Sequence, residues 1–160
     1  PTTQCITMFS DASLSGFGCV LFLSGHVYHL SGSWFPFRSL SPINFLELLA
    51  ARIAITQLEQ FRKHIKNSTV QLFVDNTCTL HLIRKGYARR FTYNLEVARI
   101  RNFLTAHNML LSCECVKSGD NPADWLSRVS NYPSGRRDEG DTEAQVLTPG
   151  GRCLPLSLGL

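Results

Sequence analysis

Four acidic residues stand where a carboxylate could do chemistry: Asp11 in "FSDAS", Glu47 in "FLELLAA", Asp75 in "LFVDN" and Asp124 in "NPADWLSR". Each also has an ordinary explanation. Asp11 suits a turn. Glu47 lies three residues after Asn44, which is a capping-box spacing. Asp75 with Asn76 can cap the helix that follows. Asp124 comes just after Pro122, which suits the first position of a helix capped by Asn121, so its charge can complement the helix dipole. Taken jointly, the four point elsewhere. Asp75 ends an otherwise apolar run, where an uncompensated charge is costly. In open sheets, functional groups collect beyond the carboxyl ends of strands. Strands running parallel and adjacent would bring Asp11 and Asp75 together, and a helix starting at Ser41-Pro42 would free Glu47 from capping. Gathered carboxylates repel one another unless cations hold them, and an all-oxygen donor set suits hard divalent metal. Two such ions roughly 3.5–4 Å apart clamp the attacking and leaving oxygens of a phosphoryl displacement.

The elements that must position these acids can be read from the apolar pattern. A first strand is predicted at about Cys5–Ser10, followed by "SLSGFG", whose glycines suit a hairpin turn. "GCVLFL" is a second strand, Ser24-Gly25 a two-residue turn and "HVYHLSGSW" a third strand. From Ser41-Pro42 the period changes. Leu48, Ala51, Ile55 and Leu58, flanked by Leu46, Leu49 and Ile53, predict one amphipathic helix of about twenty residues. "TVQLFVDN" reads as a strand buried on both faces, in a parallel position. Helices are expected at Thr77–Lys85, stopped by Gly86, and at Asn94–Ala106. "MLLSCECV" is a further strand. A helix from Pro122, burying Trp125 and Leu126, closes the ordered part. The order β-β-β-α-β-α-α-β-α predicts a mixed sheet with helices on its faces, a three-layer α/β/α domain.

The formal charge of +4 over 160 residues is modest, but six Lys or Arg (84, 85, 89, 90, 99, 101) face one acid, Glu96, between Asn76 and Asn108. Such a stretch suits either a phosphate backbone or a solvated helix face. Cysteines 5, 19, 78, 113, 115 and 153 show neither a secreted framework nor a zinc spacing, and are expected to be reduced thiols of an intracellular protein. No apolar run approaches the ~20 residues of a membrane span. The chain opens on Pro1 without a signal peptide and is expected to be a segment of something larger. Residues 1–130 are expected to form one domain. Residues 131–160, rich in Pro, Gly and mixed charge, read as a disordered tail or linker.

"FSDAS…GFG", "FLELLAA", "LFVDN" and "NPADWLSR", in this order over roughly residues 5–129, resemble the ribonuclease H domain of reverse transcriptases. "NPADWLSR" is the most specific piece. It is similar to the corresponding ending in gypsy-like and DIRS-like retrotransposons and in hepadnaviral polymerases. The resemblance implies a five-stranded mixed sheet of order 3-2-1-4-5 with strand 2 antiparallel. It implies a nuclease that uses two Mg²⁺, with Mn²⁺ able to substitute, to cut the RNA strand of RNA–DNA hybrids and leave 3′-hydroxyl and 5′-phosphate ends. Asp11 would bridge both ions, Glu47 and Asp75 would hold the one at the leaving group, and Asp124 the one that activates water. Arg84, Lys85, Arg89 and Arg90 would grip the substrate, joined by Asn76 and Arg128. The implied partners are the hybrid and the polymerase portion of the same polyprotein. The isolated domain would be monomeric, without a membrane, in the cytoplasm, the nucleus or a virus-like particle. One departure is visible. Many cellular members carry a His in a loop before the last Asp, whereas "KSGDNPA" has none and His107 lies on the preceding helix. Two rival readings are a catalytically silent connector or nucleic-acid clamp on the same fold, and another nuclease such as a transposase, integrase or resolvase.

Overall fold

The computed structural model describes residues 4–34 and 41–131. Nearly all of the expected tail, residues 132–160, lies outside the described residues. Three strands, β1 (Cys5–Ala12), β2 (Gly16–Leu23) and β3 (His26–Ser33), form an antiparallel meander. Ser24 and Gly25 join β2 to β3 at φ 52° and 77°, the two positive values that a two-residue hairpin matching strand twist requires. β4 (Thr69–Val74) lies parallel to β1, and β5 (Leu110–Cys115) lies parallel to β4. The sheet therefore has the expected order, 3-2-1-4-5. Among the described residues, four helices accompany it: α1 (Ile43–Thr56), α2 (Arg62–Ile65), α3 (Thr77–Lys85) and α4 (Phe91–Ala106). Ile6, Met8, Val70 and Leu72 of the two central strands pack with Leu46, Leu49, Val97 and Ile100 of α1 and α4 in the main core. A buried ion pair between Arg52 and Glu96 (2.6 Å), with Arg99 on the other oxygen of Glu96, ties α1 to α4.

Several boundaries differ from the sequence-based expectation, each for a local reason. The long helix is not continuous. α1 ends at Thr56, whose hydroxyl donates to the Arg52 carbonyl at 2.9 Å, and a 3₁₀ turn (Gln57–Phe61) leads into α2. Such back-bonding competes with the helical ladder and bends helices. α4 begins at Phe91 rather than Asn94. Asn94 does not cap this helix: its Oδ1 accepts the Ala88 N–H at 3.0 Å and fixes the preceding loop. Gly16 and Gly18 are strand residues, because the β1–β2 turn is confined to 13–15. β4 is buried on one face only. Val70, Leu72 and Val74 are covered, whereas Thr69, Gln71 and Phe73 are half-buried. The predicted Pro122 helix is instead a turn followed by a 3₁₀ segment (Trp125–Asn131), which packs on β2 and β3. Leu126 is buried there as expected, but Trp125 is 47% exposed. Among the described residues, no helix is long and apolar enough to cross a membrane, and Cys5, Cys19, Cys78, Cys113 and Cys115 are free thiols.

Candidate metal centre

β1 and β4 are parallel neighbours, so their carboxyl ends lie side by side. Asp11 is the last residue but one of β1, and Asp75 directly follows β4. α1 starts beyond Pro42 without a side-chain cap, which puts Asn44 inside the helix rather than at its cap. Glu47 sits one turn further on and is buried. Asn76, not Asp75, caps α3, with its Oδ1 accepting the Thr79 N–H at 2.9 Å. Neither Glu47 nor Asp75 is therefore consumed by a helix end. One carboxylate oxygen from each of Asp11, Glu47 and Asp75 lies within 4.8 Å of the others. Asp124 stands beside this set and is among the groups that push the Asp11 carboxyl up. It is partly exposed and pairs with Arg128 at 3.6 Å.

The electrostatics of the cluster follow from its burial. Burial above all, then the charge of Asp75 and the hydrogen bond to Asp124, push the Asp11 carboxyl up to about 7. Glu47 is pushed up to about 10 by burial, by the charges of Asp11 and Asp75, and by the hydrogen bond it donates to Asp11. The Ala12 N–H opposes both shifts. Without a cation, protons thus perform the neutralisation that the crowding demands. Asp11 Oδ1 is nevertheless buried with no hydrogen-bond partner among the described residues. A lone acceptor in a set made entirely of carboxylate oxygens fits a hard divalent cation.

This arrangement makes stability depend on pH in a definite direction. Asp11 and Glu47 bind protons more tightly folded than unfolded, so their favourable contribution is complete below about pH 4 and is lost as pH rises. The loss spans the interval up to about 7 for Asp11 and up to about 10 for Glu47. In chelator, the melting temperature should therefore fall as pH is raised from about 5 to about 8, and Mn²⁺ should restore it most strongly at the upper end. Glu47→Gln should flatten the slope. A slope that is the same in the parent and in Glu47→Gln would mean that Glu47 does not titrate in this way.

The segment bearing Asp124 is held by contacts that its own sequence does not announce. Asn121 donates from Nδ2 to the Ser10 carbonyl at 3.0 Å and accepts the Ala123 N–H at the same distance, which makes it an anchor to β1. Ser13 in the β1–β2 turn donates to the Ser127 carbonyl at 2.6 Å. Gly18, opposite Asp11 in the β1–β2 ladder, allows the segment to lie on the sheet. A Cβ there would meet Leu126 Cβ at 2.5 Å, the Ala123 carbonyl at 2.6 Å and the Ser127 nitrogen at 2.9 Å. Gly18, Asn121 and Ser127 thus build the site: Asn121 and Ser127 belong to "NPADWLSR", where Asn121 is expected only as a helix cap, and Gly18 belongs to "GFG", which is expected as a turn.

The expected substrate contacts are distributed unevenly. Arg84 turns to the sheet edge, donating to the Cys113 carbonyl and to Glu114, each at 2.9 Å. Lys85 lies over the Tyr87 ring and Arg90 over Tyr93, and Arg89 is exposed. Asn76 also donates to Asn44 at 3.0 Å, linking α3 to α1 beside the acids. His107 closes α4 and pairs with Glu59 at 2.7 Å, which leaves it no part in the cluster. A cavity of about 560 Å³ between α3, α4 and β5 is lined by none of the four acids.

The sequence matches no protein-family model and no curated protein. Solved structures do match. Ribonuclease H1 of the halophilic archaeon Halobacterium salinarum superposes with a TM-score of 0.60 at 19% identity, covering 79% of this chain and 96% of that one. LC11-RNase H1, solved in complex with an RNA/DNA hybrid, gives 0.61 at 17% identity over 76% of this chain and 92% of that one. The prototype foamy virus protease-reverse transcriptase gives 0.50 at 12% identity, over 80% of this chain and 21% of that one. With its 3-2-1-4-5 sheet, parallel central strands and flanking helices, the chain has a ribonuclease H-like fold.

Proposed function

We propose that this domain is a divalent-cation-dependent endonuclease that hydrolyses the RNA strand of RNA–DNA hybrids during reverse transcription, leaving 3′-hydroxyl and 5′-phosphate ends. The observation that carries the reading is the convergence of Asp11, Glu47 and Asp75 at the carboxyl ends of two parallel strands, with Asp124 against Asp11. Asp11, Glu47, Asp75 and Asp124 would hold two Mg²⁺, or Mn²⁺ in their place. Bound there, the ions supply Lewis acidity to the scissile phosphate and lower the pKa of an attacking water. The chain's own contribution is to orient and neutralise. Burial of Asp11 and Glu47 holds their carboxylates in place beside Asp75. Asn76, Lys85, Arg89, Arg90 and Arg128 would meet the phosphates, while Arg84, tied to β5, would brace that surface. Recognition of an A-like duplex rests on shape, 2′-hydroxyls and phosphates, which requires no base-reading element. In this reading, the 1–130 domain accompanies the polymerase portion of a retroelement polyprotein, with 131–160 as its linker or tail.

The test is substrate discrimination by the purified full chain. With Mg²⁺ or Mn²⁺ it should cut RNA only when paired with DNA, leaving single-stranded RNA, RNA duplex and DNA duplex intact, and chelation should stop it. Cleavage of duplex DNA would favour the transposase or resolvase class. Binding of hybrid without cleavage would favour a silent clamp.

A further inference from the structure

Ser127 is fully buried, yet it lies only three residues from Asp124, whose side chain is partly exposed. Its hydroxyl donates to the Asp124 carbonyl at 2.7 Å and lies 3.5 Å from Asp11 Oδ2. Its own carbonyl accepts from the Ser13 hydroxyl, and Ser13 Oγ in turn accepts the Ser15 and Gly16 N–H groups at 3.2 Å. A continuous path therefore runs from the turn after Asp11, through Ser127, to the backbone of Asp124. Asp124 has no regular helix to hold it, since it precedes a 3₁₀ segment. Its side chain also has an alternative partner in Arg128, which is largely exposed.

We infer that Ser127 is a positioning residue that holds Asp124 against Asp11 and thereby sets the affinity of the cation position these two acids share. The inference rests on the metal-centre reading above. A hydroxyl with one proton can serve either the Asp124 carbonyl or Asp11 Oδ2. Groups that orient ligands in this way typically change metal affinity by 10–100-fold when removed.

The experiment is a Mn²⁺ titration of the full chain, free of substrate, followed by the rise in melting temperature and, separately, by the rate of hybrid cleavage. Ser127→Ala should fold in chelator, yet need about tenfold more Mn²⁺ than the parent for half of each effect. Raising Mn²⁺ should recover most of the cleavage rate, and hybrid KM should not change. In an Asp124→Asn background, Ser127→Ala should add no further shift to the thermal midpoint, because the residue it acts through is already impaired. Ser13→Ala, which releases the other end of the same path, should shift the midpoint in the same direction, and it serves as the test if Ser127→Ala unfolds. Equal Mn²⁺ midpoints for parent and Ser127→Ala would overturn the inference while leaving the metal centre standing. No response of the parent to Mn²⁺ would overturn both.

Discussion

Asp75→Asn should leave the domain folded and able to bind hybrid, while lowering the cleavage rate by about 10³-fold or more. The replacement keeps the shape of the side chain and removes one negative charge from the point where three carboxylates converge. A cation held there contributes several kcal/mol of transition-state charge stabilisation, and about 4 kcal/mol corresponds to a thousandfold in rate. Stability should move the other way. The charge of Asp75 is among the causes that raise both Asp11 and Glu47, so its removal relieves repulsion. In chelator at about pH 8, Asp75→Asn should melt at or above the parent temperature. Loss of activity together with loss of cooperative melting would instead make Asp75 structural. The informative comparison is Asp120→Asn, four residues from Asp124 on an exposed turn, which should cleave like the parent. A purified Asp75→Asn protein cutting hybrid at anything near the parent rate would falsify the two-metal reading.

The parts of the fold that were legible in the sequence are those where one local signal had no competitor. Ser24-Gly25 between two alternating runs specified a hairpin, and the chain crosses there at positive φ for both residues. The switch from alternation to helical spacing after Ser41-Pro42 located α1, and Asn76 with Gly86 bracketed α3 by cap and stop. Legibility failed where tertiary contacts decide. Pro122 carries a strong helix-start signal, but Asn121 before it is already engaged with β1, and the chain turns instead. Thr56 looked like any other position of a long amphipathic face, yet its hydroxyl closes on Arg52 and ends the regular helix. For the candidate site, the residue types and the parallel neighbours were readable. The distances were not, nor was the pairing of Arg84, one of the four basic residues expected to grip the substrate, with Glu114 and the Cys113 carbonyl of β5.

The largest effect outside the acids should come from a residue with no side chain. Gly18 lies on β2 opposite Asp11, beneath the segment that carries Asp124. Two of the three atoms that a new Cβ would strike, the Ala123 carbonyl and the Ser127 nitrogen, are backbone, and the third is the Cβ of buried Leu126. None of them can yield by changing rotamer. Gly18→Ala must therefore lift residues 123–127 from the sheet by roughly the ångström that separates those distances from ordinary van der Waals contact. Overpacking of this kind costs about 1–3 kcal/mol, which should appear as a melting temperature several degrees lower in chelator. Catalysis should suffer more than stability. A displacement of about 1 Å at a reacting centre can cost 10²-fold, and Asp124 moves with its segment while Asp11, Glu47 and Asp75 stay on α1 and the strands. The expected signature is a domain that still melts cooperatively and binds hybrid, with cleavage down by about 10²-fold, and with faster amide exchange confined to residues 121–128. Parent-level cleavage in Gly18→Ala would show that the segment can sit elsewhere without harm, and that Asp124 need not be held against Asp11.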